Sequence, residues 1–420
     1  MMNCTNPILS NPKGKLVIER FILLGCFSIC VVAILLSCRV SESKPLQVQR
    51  IALPTPSIQV ATEIDGVLHK RKAVHWTVTE TSRPCEARSL IFPTKGIGYV
   101  SDNRNRLFKT INGGKSWTRV GIAIPDGAEI SNISFVSPEQ GWVSLISSPS
   151  EEERSHKQLD RYPPLNPWLW QTKDGGTSWQ RVITEHPMII REIQFVTEQE
   201  GWAWGTRIYH TRDQGQHWED ILDGLCRLAP HQYLDDCPFY SVLGEVNGQA
   251  VVLTNDLLVG GVGITDDVGK NWQLRSILKL NPFGYTEPVK IKRGTNQSLW
   301  FVTSTDSKEG MGGQLIHIGQ DNSVHNYRFG VVITDAIFLP GNQILASGYH
   351  SPTNRIEDFE KRIGIILNSL DGGVNWDFVY NNKKVKSINV LQVTTENEVW
   401  AIGEKGLILK LVQNKPERNS

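Results

Sequence analysis

One eight-residue pattern, [Ser/Thr]-x-[Asp/Asn]-x-Gly-x-x-Trp, occurs five times in this chain and narrows its fold more than any other feature. The copies are "TINGGKSW" (Thr110 to Trp117), "TKDGGTSW" (Thr172 to Trp179), "TRDQGQHW" (Thr211 to Trp218), "TDDVGKNW" (Thr265 to Trp272) and "SLDGGVNW" (Ser369 to Trp376). Successive tryptophans stand 62, 39, 54 and 104 residues apart. The last gap is about twice the others, so it predicts one degenerate unit inside it. Recurrence at this period marks a repeat architecture.

Each copy sits in the same setting. An alternating apolar run ("REIQFV") precedes a polar turn, then Gly-aromatic opens a second run ("GWAWG"). A third run leads into the box and a fourth short run leaves it. Runs of four to seven residues cut by Gly, Asp and Asn turns predict antiparallel strands. Four strands in about 40–50 residues is a propeller blade. Blades are expected to start near Leu90, Ile133, Ile193, Val242 and Val332. "SLWFV" followed by "QLIHIG" predicts a blade that has lost its box. "INVLQV", "EVWAIG" and "LILKLV" give three more strands before the chain ends, and "AVHWTVTE" (Ala73 to Glu80) can supply the fourth. The expectation is an all-β chain: a single seven-bladed propeller of four-stranded antiparallel blades over residues 73–413, closed by an N-terminal strand.

The physics of the box favours a turn over a catalytic site. A hairpin between strands three and four needs residues that tolerate positive φ, which glycine supplies. An Asp or Asn opening the turn accepts bonds from backbone N–H groups a few residues on. Asn112 stands where the other copies have Asp174, Asp213, Asp267 and Asp371. A turn acceptor tolerates that exchange and a general acid does not. Trp117, Trp179, Trp218, Trp272 and Trp376 offer large apolar faces to neighbouring strands, with an N–H that can find a carbonyl.

The first 38 residues differ in kind. Lys13, Lys15 and Arg20 precede "FILLGCFSICVVAILLSC", which predicts an export signal. "LLSC" resembles a bacterial lipobox, with Cys38 as the lipidated residue. An uncleaved anchor helix and a plain secretion signal are the alternatives. All three place the propeller outside the cytoplasm, in a periplasmic, thylakoid-lumenal or cell-surface setting. Residues 39–72 are polar and Pro-containing and predict a flexible tether; residues 414–420 predict a disordered tail. In the mature domain an oxidising compartment suggests a Cys226–Cys237 disulfide, leaving Cys85 over; three free thiols, or a bridge that uses Cys85, are the alternatives. No Cys/His cluster is present in the sequence, so neither a metal nor another cofactor is expected. The 44 basic and 43 acidic side chains leave a net charge of +1, which argues against a nucleic-acid partner.

The box resembles the Asp-box, or bacterial neuraminidase repeat. Sialidases, two-propeller glucanases, sortilin-type receptors and photosystem II stability/assembly factor-like propellers carry it. "FVSPEQGWVS" and "FVTEQEGWAWGTRIYHTRDQGQHW" are most similar in phrasing to the last group. That resemblance implies a non-catalytic propeller that binds other proteins, often in assembly of a membrane protein complex.

A sialidase would need an arginine triad, a Tyr–Glu pair and a Phe/Tyr-Arg-Ile-Pro motif. The corresponding stretch, "TSRPCEARSLIF", offers only Arg83-Pro84. Any glycosidase would need two carboxylates converging at the axis, roughly 5–10 Å apart. The expectation is therefore a membrane-tethered protein binder and not an enzyme, with a sialidase-like hydrolase or carbohydrate-binding propeller as the alternative. Arg161, Tyr162 and Trp168, in the insertion 147–170, are the candidate partner contacts; Trp168 and Trp170 could instead begin strand three. Two further insertions, 305–313 and 349–362, suggest mobile loops.

Overall fold

Apolar runs cut by glycine turns form antiparallel strands, and these gather into seven sheets. A computed structural model of the chain describes residues 62–72, 76–81, 87–147, 168–183, 190–205, 207–226, 239–254, 260–278, 286–307, 310–321, 323–351, 359–394 and 398–414. All lie in the compact unit Pro54–Ser420. The first strands of blades 1 to 7 are Ala87–Ile91, Ala128–Phe135, Ile190–Phe195, Phe239–Gly244, Thr286–Arg293, Val332–Leu339 and Ile388–Val393. Each blade runs outward strand by strand in chain order. The seventh sheet takes its fourth strand, Trp76–Glu80, from the other end of the chain; it pairs antiparallel with Ile408–Gln413.

First strands of neighbouring blades meet around the axis: blade 1 with 2, 2 with 3, 4 with 5, 5 with 6, 6 with 7 and 7 with 1. Blades 3 and 4 meet through Gln194, which donates to the Gly244 carbonyl and accepts from its amide. The ring is therefore unbroken. Second strands are mostly buried, and Gly98–Asp102 and Glu398–Gly403 are buried along their whole length. The fourth strands of blades 1 to 3 are short and largely exposed, as in Thr118–Val120 and Glu219–Asp220, which blunts those outer edges.

The core lies between blades. Leu169 and Trp142 of blade 2 pack with Ile193, Phe195 and Ala203 of blade 3. Comparable clusters join blades 1 and 2, 3 and 4, 4 and 5, 5 and 6, 6 and 7, and 7 and 1. The Gly-aromatic signature has its cause here. Phe135 and Phe195 end their first strands opposite Gly141 and Gly201. A Cβ on either glycine would lie 2.2 or 2.6 Å from the phenyl ring. Each ring in turn stacks on the second-strand aromatic of the preceding blade: Phe135 on Tyr99 at 3.6 Å, Phe195 on Trp142 at 3.5 Å.

Two expectations change. The tether was expected to run to Lys72, but Thr62–Asp65 and Val67–Lys72 are strands, paired in parallel with the outermost strands of blades 5 and 6. Those two sheets therefore have five strands. In the insertion 305–313 residues 308–309 lie outside the described residues, and the rest is strand: Leu299–Ser307 and Gly310–Ile318 pair continuously out to Ser307 and Gly310. In the insertion 349–362, residues 352–358 lie outside the described residues.

Candidate functional site

The five boxes come first, because they carry the most conspicuous carboxylates. All five join the third strand of a blade to the fourth. In blade 2 the Thr172 hydroxyl donates to Asp174 Oδ1 at 2.9 Å and accepts the Gly176 amide at 2.8 Å. Asp174 Oδ1 also accepts the Ser178 amide at 2.8 Å. The same three bonds recur at Thr110/Asn112, Thr211/Asp213, Thr265/Asp267 and Ser369/Asp371. Asn112 changes one detail: its Nδ2 donates to the Ser116 hydroxyl, whereas Asp174 Oδ2 accepts from that of Ser178.

The Ser178 hydroxyl and amide hold the Asp174 carboxyl at about 2. At Asp213, Asp267 and Asp371 burial pushes upward, and the turn's hydrogen bonds still hold the carboxyl below its ordinary value. A general acid needs the opposite shift.

What the box touches is the preceding blade. Tyr99 of blade 1 donates to the Gly175 carbonyl at 3.2 Å, and Lys109 Nζ donates to it at 2.8 Å. Trp142 of blade 2 donates to the Gln214 carbonyl at 3.1 Å. The box is thus a joint between blades. Its tryptophans differ: Trp376 is fully buried and Trp272 nearly so, while Trp117, Trp179 and Trp218 are half-buried. The expected carbonyl partner is present for Trp218 and Trp376, which bond Gly215 and Gly373 at 2.8 Å. Trp117, Trp179 and Trp272 bury their N–H without one. The left-handed position after the Asp is glycine in three boxes but Gln214 (φ 68°) and Val268 (φ 63°) in the other two.

The axis presents a different chemistry, contributed by first strands. Asp335 is fully buried at a bulge in blade 6. Lys290 and Lys292 of blade 5 reach its two oxygens at 2.7 and 3.2 Å. The Leu391 amide of blade 7 donates to Oδ2 at 3.0 Å. Lys290 also donates to the Asn389 carbonyl at 3.3 Å. Burial alone would raise the Asp335 carboxyl; Lys292 and Lys290 overcome it and hold the group below the carboxylate range. Asp335 therefore bolts three blades together. Glu192 of blade 3 is reached by solvent yet ringed by protein. That crowding pushes its carboxyl up, against the pull of Lys290.

A cleft of about 260 Å³ between blades 4 and 5 is lined by Glu245, Gln249, Asp266 and Arg293 among others. Arg293 bonds Glu245 through both its Nε and an Nη. This ion pair and the Lys–Asp–Lys triad escaped the sequence reading. They depend on which first-strand residues meet across blades, and local periodicity does not encode that.

The other predicted residues distribute as follows. Trp168 opens the third strand of blade 2 opposite Leu145, so it belongs to a strand and not to the loop expected to present it. Arg161, Tyr162, Arg83, Cys38, Cys85 and Cys237 lie outside the described residues. Cys226, at the end of the short helix Leu222–Cys226, is disulfide-bonded. Among the described residues no group of three or more His, Cys, Asp or Glu could hold a metal ion. No described helix is long and apolar enough to cross a membrane.

No family model matches the chain, and no curated protein matches it. Solved structures do. One is YCF48 bound to a D1 peptide, at 16% identity and a TM-score of 0.56, covering 82% of this chain and 99% of that one. A second is YCF48 from Cyanidioschyzon merolae, at 16% identity and a TM-score of 0.55, covering 80% of this chain and 98% of that one. At this identity the likeness is one of fold: the chain is similar to these propellers over nearly their whole length.

Proposed function

We propose that this chain is a non-catalytic propeller that binds protein, held at a membrane outside the cytoplasm by its N-terminal leader. Its role is to scaffold or assist assembly of a membrane protein complex. The observation that carries this reading is the match, along almost the full length of the neighbour, to a propeller solved with a peptide bound. The resemblance of the repeats to Asp-boxes points the same way. So does the spending of their carboxylates on turn amides. At the axis Asp335 is committed to two lysines, which suits a structural bolt better than half of a glycosidase carboxylate pair. The disulfide at Cys226 suits an oxidising compartment.

The test is crosslinked capture from membranes with the full chain, against Cys38→Ala, alongside an assay on aryl glycosides. The reading expects a membrane protein captured by the wild type and less by the variant, with no glycoside turnover. Turnover abolished by Glu192→Gln without loss of folding would replace it with the hydrolase reading.

A further inference from the structure

Residues 62–72 run along the outside of two blades. Thr62–Asp65 pairs with Val324–Phe329 of blade 5, in register from Thr62–His325 to Asp65–Arg328. Val67–Lys72 pairs with Asn375–Asn382 of blade 6, starting at Val67–Asn375. Between them Gly66 crosses the seam. Its amide donates to the Arg328 carbonyl, and the Val67 amide donates to that of Val374, both at 2.9 Å. A Cβ on Gly66 would lie 2.6 Å from the Phe329 ring, so only glycine permits so close a crossing. Ile64 and Leu68, either side of it, pack on the cluster that holds Tyr327, Phe329 and Trp376. His69 bonds the Asn375 side chain at 3.0 Å.

Three features separate this strap from the blades it covers. It is parallel to its partners, so it cannot be the product of a tight hairpin and must be laid on from elsewhere in the chain. Its own surface is partly wet, with Val67 48% exposed. Finally, the first four blades are complete with four strands each, so the fold does not require a fifth. What the strap pairs with is a row of outer-edge backbone groups beside an apolar seam, which is the surface that strand addition uses.

We propose that Thr62–Lys72 is a latch on a strand-acceptor site. When it lifts, the outer edges of blades 5 and 6 take an extended polypeptide from a partner, with two aliphatic side chains flanking a glycine as Ile64-Asp65-Gly66-Val67-Leu68 does. The backbone ladder binds the strand, the glycine passes Phe329, and the aliphatic pair fills the seam. This site is on the rim, so it stands or falls separately from any contact at the axis.

Hydrogen exchange on the full chain tests the latch. Amides of residues 62–72 should exchange roughly tenfold or more faster than those of Gln343–His350 and Ile363–Ser369, because the latch opens without the propeller. Exchange at one common rate would overturn the proposal. The acceptor is tested with a synthetic peptide of residues 62–72, titrated against the full chain and against Ile64→Asp/Leu68→Asp. The peptide should bind the variant at least about tenfold more tightly than the wild type, whose own latch competes. A peptide carrying Gly66→Val should not bind. A folded variant that ignores the peptide would overturn the proposal. So would a variant that fails to fold, since the strap would then be core.

Discussion

The joint between blades 2 and 3 and the joint between blades 4 and 5 solve one problem with different chemistry. At the first, Phe195 ends its strand stacked on Trp142, and Trp142 donates to the Gln214 carbonyl of the box. At the second, Arg293 holds the position of Phe195 and pairs with Glu245 of blade 4. Smaller apolar residues such as Val251 and Leu253 lie behind it. Blade 5 is also one of the two blades without a box, blade 7 being the other. At the joint between blades 4 and 5 the missing box goes with a missing aromatic stack. In its place the molecule has an ion pair at the cleft, the Asp335 bolt at the axis and a strap at the rim. The box is best understood as one half of an inter-blade joint.

This comparison can be broken by substitution. Trp142→Ala should destabilise most, by about 3–5 kcal/mol in denaturant melts, because it empties a fully buried, stacked site. Asp335→Asn should follow at about 3 kcal/mol, since it leaves two lysines facing a buried neutral group. Its pH signature is specific. The folded carboxyl titrates below its ordinary value of 3.8, so its contribution is fully present above that pH and is lost as pH falls further. The variant's stability should therefore fall less steeply in that range than the wild type's. Arg293→Ala should cost only about 1 kcal/mol, because the pair is partly exposed. If it matched Trp142→Ala, the two joints would be equivalent and the contrast would fail. Thr172→Val removes a hydroxyl that serves the turn twice and should cost about 1 kcal/mol. Asp174→Asn should leave the melt unchanged, because Asn112 already serves that role in blade 1.

Much of the fold was legible because the box records blade boundaries locally. The Thr-x-Asp-x-Gly-x-x-Trp spacing follows from hydrogen bonds spanning two to four residues, and the Gly-aromatic pair from a ring lying over one backbone position. The rest depends on residues distant in sequence. "TEIDGVLHK" is two short, weakly periodic runs around an Asp-Gly turn signal, so it looks like tether until the edges of blades 5 and 6 give it partners. "TDSKEGMGG" is rich in small and polar residues yet zips as a hairpin because Leu299–Ser307 and Gly310–Ile318 hold it in register. Lys290, Lys292 and Asp335 look like ordinary surface charges until three blades meet.

The central claim is that the repeated aspartates build joints and mark no site of action. Its most direct test is one chain carrying Asp174→Asn, Asp213→Asn, Asp267→Asn and Asp371→Asn together, compared with wild type for thermal melting and for partner capture from membranes. The account predicts that the variant folds with nearly the same melting temperature and captures the same protein. A variant that melts like the wild type yet captures nothing would contradict it, and would make those carboxylates the binding site.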